Sequence, residues 1–68
     1  MSAEELCKAI TITAKTRNDS ITRVLRTHKI NPSTFYEWHS GRNKYPHNGN
    51  MEKLYALYVA YTGKRHVT

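Results

Sequence analysis

The sequence predicts an all-α protein, folded as one compact domain of four to five helices. Apolar residues recur every three to four positions along four stretches of the chain, which is the spacing of amphipathic helices. Short runs rich in Gly, Pro, Asn and Ser separate these stretches. Because 68 residues can enclose only one hydrophobic core, we expect residues 1–68 to form a single domain.

The first helix is predicted to begin directly after Ser2. Glu5 follows Ser2 at the spacing of a capping box, in which each side chain bonds the backbone of the other residue. The segment "ITIT" at 10–13 is β-branched and alternating, which also fits a strand, but the cap and the surrounding Ala, Glu and Lys residues favour a helix. Its apolar face consists of Leu6, Ala9, Ile10, Thr13 and Ala14.

A second helix is predicted over about residues 19–28, with Asp19 as its N-cap. The apolar positions stand at i, i+3, i+4 and i+7, which places them on one side of a helix. They are Ile21, Val24, Leu25 and His28. Arg23 and Arg26 fall on other sides and are expected to face water.

The third helix, about residues 32–40, is predicted to start abruptly. A residue before proline avoids the α region, so Asn31 is expected to take the extended geometry of an N-cap. Pro32 is tolerated at the first helical position, where its missing N–H has no intrahelical partner to lose. Gly41 supplies a left-handed stop.

A fourth helix is predicted after the polar loop "GRNKYPHNGN", with Asn50 as its N-cap and Gly63 at its end. Its apolar positions are Met51, Leu54, Tyr58 and Tyr61, with Tyr55 and Leu57 beside them. Across the four helices, the predicted core consists of Ile10, Val24, Leu25, Phe35, Trp38, Leu54 and Tyr58.

The charge distribution favours a polyanionic partner. The formal net charge is +6, and seven Lys or Arg residues lie between Lys15 and Lys44 against only Asp19 and Glu37. Such a positive field attracts nucleic acid first and an anionic membrane second, although a basic surface can also serve solubility alone. No apolar run long enough for a membrane span is present, and the first residues lack a signal-peptide pattern. We therefore expect a cytoplasmic protein without a membrane partner.

The sequence gives little indication of a catalytic site or a metal site. Cys7 is the only cysteine, so it cannot form a disulfide within the chain and is expected to be buried. The cysteine and the histidines show no recognised ligand spacing: Cys7, His28, His39, His47 and His66. The acids are dispersed, and no nucleophile motif or phosphate-binding glycine pattern occurs. We expect no enzyme activity, no metal and no cofactor.

Residues 29–42, "KINPSTFYEWHSGR", follow a short predicted turn between two helices, which is the outline of a helix-turn-helix. This segment resembles the turn and recognition helix of the lambda-repressor/Cro-like, or XRE-type, DNA-binding domains. The residues at matching positions are Ile30, Asn31, Thr34, Phe35, Trp38, Gly41 and Arg42. The resemblance is most specific over residues 21–46 and weaker on the flanking helices.

Three positions depart from the family pattern. Lys29 replaces the turn glycine, Leu25 replaces the usual small residue of the preceding helix, and His28 stands where the family mostly has Leu. Because a non-glycine residue in a left-handed turn costs about 1 kcal/mol, we expect the turn to be remodelled around Asn31 and Pro32.

The resemblance implies sequence-specific binding of double-stranded DNA by a stand-alone, Cro-like transcriptional repressor of a phage or another mobile element. Such a protein would act at the nucleoid of a bacterial host cell, without a small-molecule ligand. One subunit reads about half a site, so a homodimer on a palindromic operator is expected. Two alternatives stay open: an architectural, excisionase-like DNA-binding factor, and a protein-interaction module such as an antitoxin or a host-factor inhibitor.

Base reading is assigned to the start of the third helix, because the first residues of a recognition helix come closest to base edges. The candidates are Ser33, Thr34, Tyr36 and Glu37. Tyr36 fits either a DNA contact or partial burial, and Glu37 fits either a cytosine contact or a solvated side chain. Phe35 and Trp38, three apart on one helix side, are expected in the core rather than stacked on bases. The candidates for phosphate contacts are Arg17, Arg23, Lys29, Arg42, Asn43 and Lys44.

Overall fold

Four helices follow one another along the chain: α1 (Ala3–Arg17), α2 (Ile21–Thr27), α3 (Pro32–His39) and α4 (Asn50–Thr62). The computed structural model describes residues 2–42, 46 and 49–63, and these residues contain no strand. The first helix, α1, is central because it packs against each of the other three, and α2 also packs against α3. The predicted all-α class is confirmed. Within the described part of the chain, no helix has the length and hydropathy needed to cross a membrane.

A reciprocal cap starts α1, as predicted. The Ser2 hydroxyl accepts a hydrogen bond from the Glu5 N–H (3.3 Å), and the Glu5 carboxylate accepts one from the Ser2 N–H (3.1 Å). The bond from the Ser2 backbone N–H lowers the pKa of Glu5. The helix continues through the "ITIT" segment and ends at Asn18, whose φ of 59° is left-handed.

Ser20, rather than Asp19, caps α2. The Ser20 hydroxyl accepts a hydrogen bond from the Arg23 N–H at 3.4 Å. Asp19 is occupied elsewhere, because its N–H bonds the Ala14 carbonyl (2.8 Å) and its carboxylate accepts from the Tyr61 hydroxyl (2.5 Å). The prediction of Asp19 as N-cap is therefore wrong, and α2 is shorter at both ends than predicted.

Residues 28–31 join α2 to α3. Lys29 takes a left-handed φ of 60°, and its N–H bonds the Arg26 carbonyl (3.0 Å). The following N–H, that of Ile30, bonds the Leu25 carbonyl at 2.8 Å, and the Ile30 side chain is buried. The expected remodelling of the turn is therefore wrong. The turn keeps its left-handed residue, and a lysine accepts the conformation at a cost of about 1 kcal/mol.

The predicted limits of α3 are confirmed to within one residue. Asn31 has an extended backbone, and its Oδ1 accepts a hydrogen bond from the Ser33 N–H at 2.9 Å. Gly41 follows the helix with a left-handed φ of 83°. The left-handed backbone favours glycine at this position. A Cβ atom there would lie 2.9 Å from a carboxylate oxygen of Glu4, at the flexible end of a side chain that can move aside.

Glycines mark both ends of α4. Gly49, with a φ of 77°, is the N-cap, and Asn50 already belongs to the helix. The prediction of Asn50 as N-cap is therefore wrong, because the left-handed glycine turns the chain into the helix one residue earlier. Gly63 ends α4 as predicted, with a φ of 70° and an N–H bonded to the Val59 carbonyl (3.0 Å).

The core lies between α1 and the three helices packed on it. Six of the seven predicted core residues are buried, and the seventh, Val24, is half-buried against them. Cys7 is buried as predicted, and its thiol lies 3.8 Å from the Phe35 carbonyl oxygen. The other buried hydrophobic residues are Ala3, Leu6, Ala14, Ile30 and Leu57.

Lys29→Gly should raise the free energy of unfolding by about 0.5–1 kcal/mol. Glycine adopts the left-handed conformation without a Cβ clash, and part of that gain is offset by greater freedom of the unfolded chain. Chemical denaturation measures the difference. Lys29→Ala is the matched control, because it removes the same charge but keeps the Cβ atom. Equal stability of the two variants would contradict the left-handed turn.

Cys7 should resist alkylation in the native protein. Burial raises the pKa of its thiol from 9.0 to about 12, and only the thiolate is a nucleophile. Mass spectrometry should therefore find fast labelling in denaturant and slow, unfolding-limited labelling without it. Because the folded-state pKa is the higher one, the stability that the thiol contributes is complete below pH 9.0 and is lost as the pH rises towards 12. Rapid labelling under native conditions would show that Cys7 is not enclosed.

Candidate nucleic-acid interface

The helix α3 has a buried apolar side and an exposed polar side. Phe35 and Trp38 face the core, with 0% and 3% of their surfaces accessible. Ser33, Tyr36 and Glu37 are exposed and recur at helical spacing, so they form one strip, which we call the α3 strip. Neither the core nor another described segment covers this strip, and two buried aromatic rings support it from behind.

Thr34 lies beside the α3 strip rather than on it. It is half-buried, and it lines a cleft of about 230 Å³ together with Trp38 and residues of α4. We call this cleft the α3–α4 cleft. The structure thus brings three of the four base-reading candidates onto one surface and places Thr34 on the adjoining one.

Tyr36 is anchored to the core and still half accessible. Its ring meets the buried ring of Phe35 edge-on, with centroids 5.6 Å apart and planes at 81°. The half-buried ring of His39 lies 6.5 Å from Tyr36, on the next turn of the helix. These contacts limit the directions that Tyr36 can take, while 49% of its surface stays accessible.

Four of the six candidates for phosphate contacts lie within the described residues, and all four are exposed. They are Arg17, Arg23, Lys29 and Arg42. Asn43 and Lys44 lie outside the described residues. The ion pair found in the described part of the chain, between Lys8 and Glu4 at 2.9 Å, involves none of the four. None of the four is therefore neutralised by a carboxylate in an ion pair there.

Arg17 is held at the junction of α1 and α4. Its guanidinium carbon lies 4.7 Å from the centre of the Tyr61 ring, which is a cation–π contact. The Tyr61 hydroxyl donates to the Asp19 carboxylate (2.5 Å). Burial, together with the bond to Asp19 and its negative charge, raises the pKa of Tyr61. The Arg17 guanidinium is therefore oriented by Tyr61, a residue of another helix that is far away in the sequence.

Two clefts of similar size differ in charge. The larger one, about 270 Å³, lies between the start of α2 and the end of α4, and Asp19 and Arg23 both line it. Among the described residues that line the α3–α4 cleft, none is acidic; they are Lys29, Ile30, Asn31, Thr34, Trp38, Asn50 and Lys53. The smaller cleft is therefore the more positive of the two.

Lys53 and Asn50 line the α3–α4 cleft, although the sequence pattern did not predict them as site residues. The Lys53 ammonium lies 3.5 Å from the carbonyl oxygen of Lys29, which brings the first turn of α4 next to the turn before α3. No short-range pattern predicts this proximity, since the two lysines are 24 positions apart. One feature of the sequence could have pointed to Lys53: it lies in the first turn of a helix that follows a polar loop.

Comparison of the chain with models of known protein families, with characterised proteins and with solved structures gives no match. Among residues 2–42, 46 and 49–63, no three His, Cys, Asp or Glu side chains cluster in a way that could hold a metal ion. The shape and charge of the described surface are therefore the basis for assigning a function.

Phe35→Ala and Tyr36→Ala should separate the two sides of α3. Removing the buried Phe35 ring should lower the free energy of unfolding by about 3–5 kcal/mol, enough to unfold much of so small a domain. Removing the half-exposed Tyr36 ring should lower it by about 1 kcal/mol or less. Chemical denaturation followed by circular dichroism gives both values. A larger loss for Tyr36→Ala than for Phe35→Ala would reverse the assignment of the two sides.

Proposed function

We propose that this chain binds double-stranded DNA in a sequence-specific manner, with α2, residues 28–31 and α3 acting as a helix-turn-helix. The observation that carries the proposal is the α3 strip, which is polar, exposed and fixed from behind by Phe35 and Trp38. An α-helix fits into the major groove, where its side chains meet base edges. The resemblance of residues 21–46 to lambda-repressor/Cro-like domains supports the same assignment.

Glu37 has the most specific chemical role in this proposal. A carboxylate near DNA is repelled by phosphates unless it accepts a hydrogen bond from the amino group of a cytosine. Ser33 lies at the end of α3 that enters the groove first, where a hydroxyl reads base edges with little selectivity. Tyr36 contacts a thymine methyl group with its ring or a phosphate with its hydroxyl. Thr34, at the border of the strip, offers a methyl group to thymine.

Phosphate contacts would orient α3 in the groove. The exposed cations assigned to this role come from the end of α1, the first turn of α2, the turn before α3 and the segment after it. They are Arg17, Arg23, Lys29 and Arg42, with Asn43 and Lys44 completing the proposed set. Contacts to phosphates fix the position of a protein on DNA, and base contacts supply its specificity.

A second copy of the chain completes the proposed complex. One recognition helix reads about half a site, so a palindromic operator requires a partner related by two-fold symmetry. Two chains with a net charge of +6 each repel one another, so a contact surface without charged residues adds least to that repulsion. The segment from Leu54 to Gly63 carries no charged residue and exposes Ala56 and Ala60, which makes the outer side of α4 the proposed contact. Occupation of such an operator would repress transcription in a bacterial cell.

Selection of bound duplexes from a random pool at near-physiological salt should enrich an inverted repeat. Against the enriched duplex, Glu37→Ala should lower affinity by about 5- to 150-fold, the equivalent of about 1–3 kcal/mol for a base contact, and should leave binding to unrelated duplexes undiminished. Glu52→Ala is the matched control, because it removes an exposed carboxylate of α4 outside the α3 strip. Fluorescence anisotropy measures all the affinities.

Three results would contradict the proposal in different ways. If no sequence is enriched while all duplexes bind, the chain is a sequence-independent architectural factor. If Glu37→Ala raises affinity for every duplex by the same factor, Glu37 is a solvated charge and reads no base. If no duplex binds, the proposed function is wrong, and the α3 strip should be tested as a protein-interaction surface.

A further inference from the structure

We infer that the α3–α4 cleft is a phosphate-binding site, in which Lys53 and Asn50 of α4 join Lys29 and Thr34 around one phosphate group. The phosphate is assigned to the DNA backbone beside the groove that α3 enters, and this part of the inference rests on the proposed function. The site itself rests on the shape and charge of the cleft.

The cleft has suitable dimensions and an open side. Its volume is about 230 Å³, whereas one water molecule occupies about 30 Å³ in the liquid, so a phosphate group and bound water fit together. Trp38 contributes to the wall and is itself buried, which gives the cleft a rigid apolar side. Lys29 and Lys53 are exposed, so their ammonium groups can meet a ligand from solvent.

The charge of the cleft is positive and is not balanced by its lining. Two of the described residues in the lining are lysines, and none of them is acidic. The contact that places Lys53 here, 3.5 Å to the Lys29 carbonyl oxygen, is with a neutral acceptor and cancels no charge. An anion between the two lysines would be attracted by both, and partial enclosure reduces the screening of that attraction by water.

Neutral hydrogen-bond donors complete the site. Asn31 uses its side-chain oxygen to cap α3 by accepting from the Ser33 N–H, which leaves its amide N–H groups to donate to a ligand. The Asn50 amide and the Thr34 hydroxyl supply further donors in the same lining. Such a set suits a phosphodiester of the DNA backbone, whose oxygens only accept hydrogen bonds.

The larger cleft provides an internal comparison. It also has a cation, Arg23, in its lining, but Asp19 lies in the same lining and already accepts from Tyr61. A carboxylate in the wall repels a phosphate, so size alone does not select the phosphate site. The smaller cleft also shares Thr34 and Trp38 with α3, which places it directly beside the α3 strip.

Lys53→Gln tests the site, with Lys15→Gln as the matched control on the exposed surface of α1. Affinity for duplex DNA is measured over a range of salt concentrations. For Lys53→Gln the slope of log affinity against log salt should become shallower by about 0.9, the value for one lost phosphate contact. Affinity should fall by the same factor for selected and unrelated duplexes, because a phosphate contact carries no sequence information. Lys15→Gln should leave the slope unchanged.

Trp38 allows a second measurement that does not depend on DNA. It is the only tryptophan of the chain and lines the cleft, so its fluorescence reports on occupancy. Inorganic phosphate, titrated at constant ionic strength against chloride, should change the fluorescence of the wild type and of Lys15→Gln in a saturable way, and this response should be lost in Lys53→Gln.

The two measurements separate the site from the proposed function. If duplexes bind and the slope of Lys53→Gln equals that of the wild type, the phosphate site is wrong while DNA binding stands. If no duplex binds, the proposed function fails, and the Trp38 titration decides the site alone. A saturable response lost in Lys53→Gln would then identify free phosphate as the ligand source, and the absence of a response would overturn the site.

Discussion

The burial of Phe35 and Trp38 against α1 is the constraint on which the rest of the structure depends. The helix that carries them has only eight residues, too few to be stable alone, so it forms because its apolar side is packed. Packing fixes the rotation of α3 about its axis. The residues on the opposite side, Ser33 and Glu37 among them, are thereby held towards solvent. The candidate interface is therefore the exposed side of a helix whose opposite side belongs to the core.

The central position of α1 extends this constraint to the other helices. Because α1 packs against α2, α3 and α4, the spacing between α3 and α4 is set through it. The close approach of Glu4 to Gly41 at one end and the contact of Arg17 with Tyr61 at the other follow from this arrangement. The first helix, α1, thus positions both Arg17 and the α3–α4 cleft. This explains how so small a chain can present an ordered surface.

The four helices could be predicted from the sequence alone, because local interactions start and end them. The Ser2–Glu5 cap, the Asn31 cap before Pro32 and the glycines after α3 and α4 each act over a few residues, so their effect is visible in the sequence. The helical spacing of apolar residues predicted six of seven core positions for the same reason. The α3 strip follows from the same spacing: Tyr36 and Glu37 stand between the buried Phe35 and Trp38, and Ser33 lies about one turn before them on the exposed side.

Only the tertiary structure decided the hydrogen-bond partners and backbone conformations of several polar residues. Asp19 has the chemistry of an N-cap, but it bonds Tyr61, 42 positions away, and leaves the cap to Ser20. Lys29 keeps a left-handed conformation because the turn is closed by hydrogen bonds and by the buried side chain of Ile30. The place of Lys53 beside that turn depends on how α4 packs on α1. Such outcomes are set by contacts between distant residues, which residue spacing along the chain does not encode.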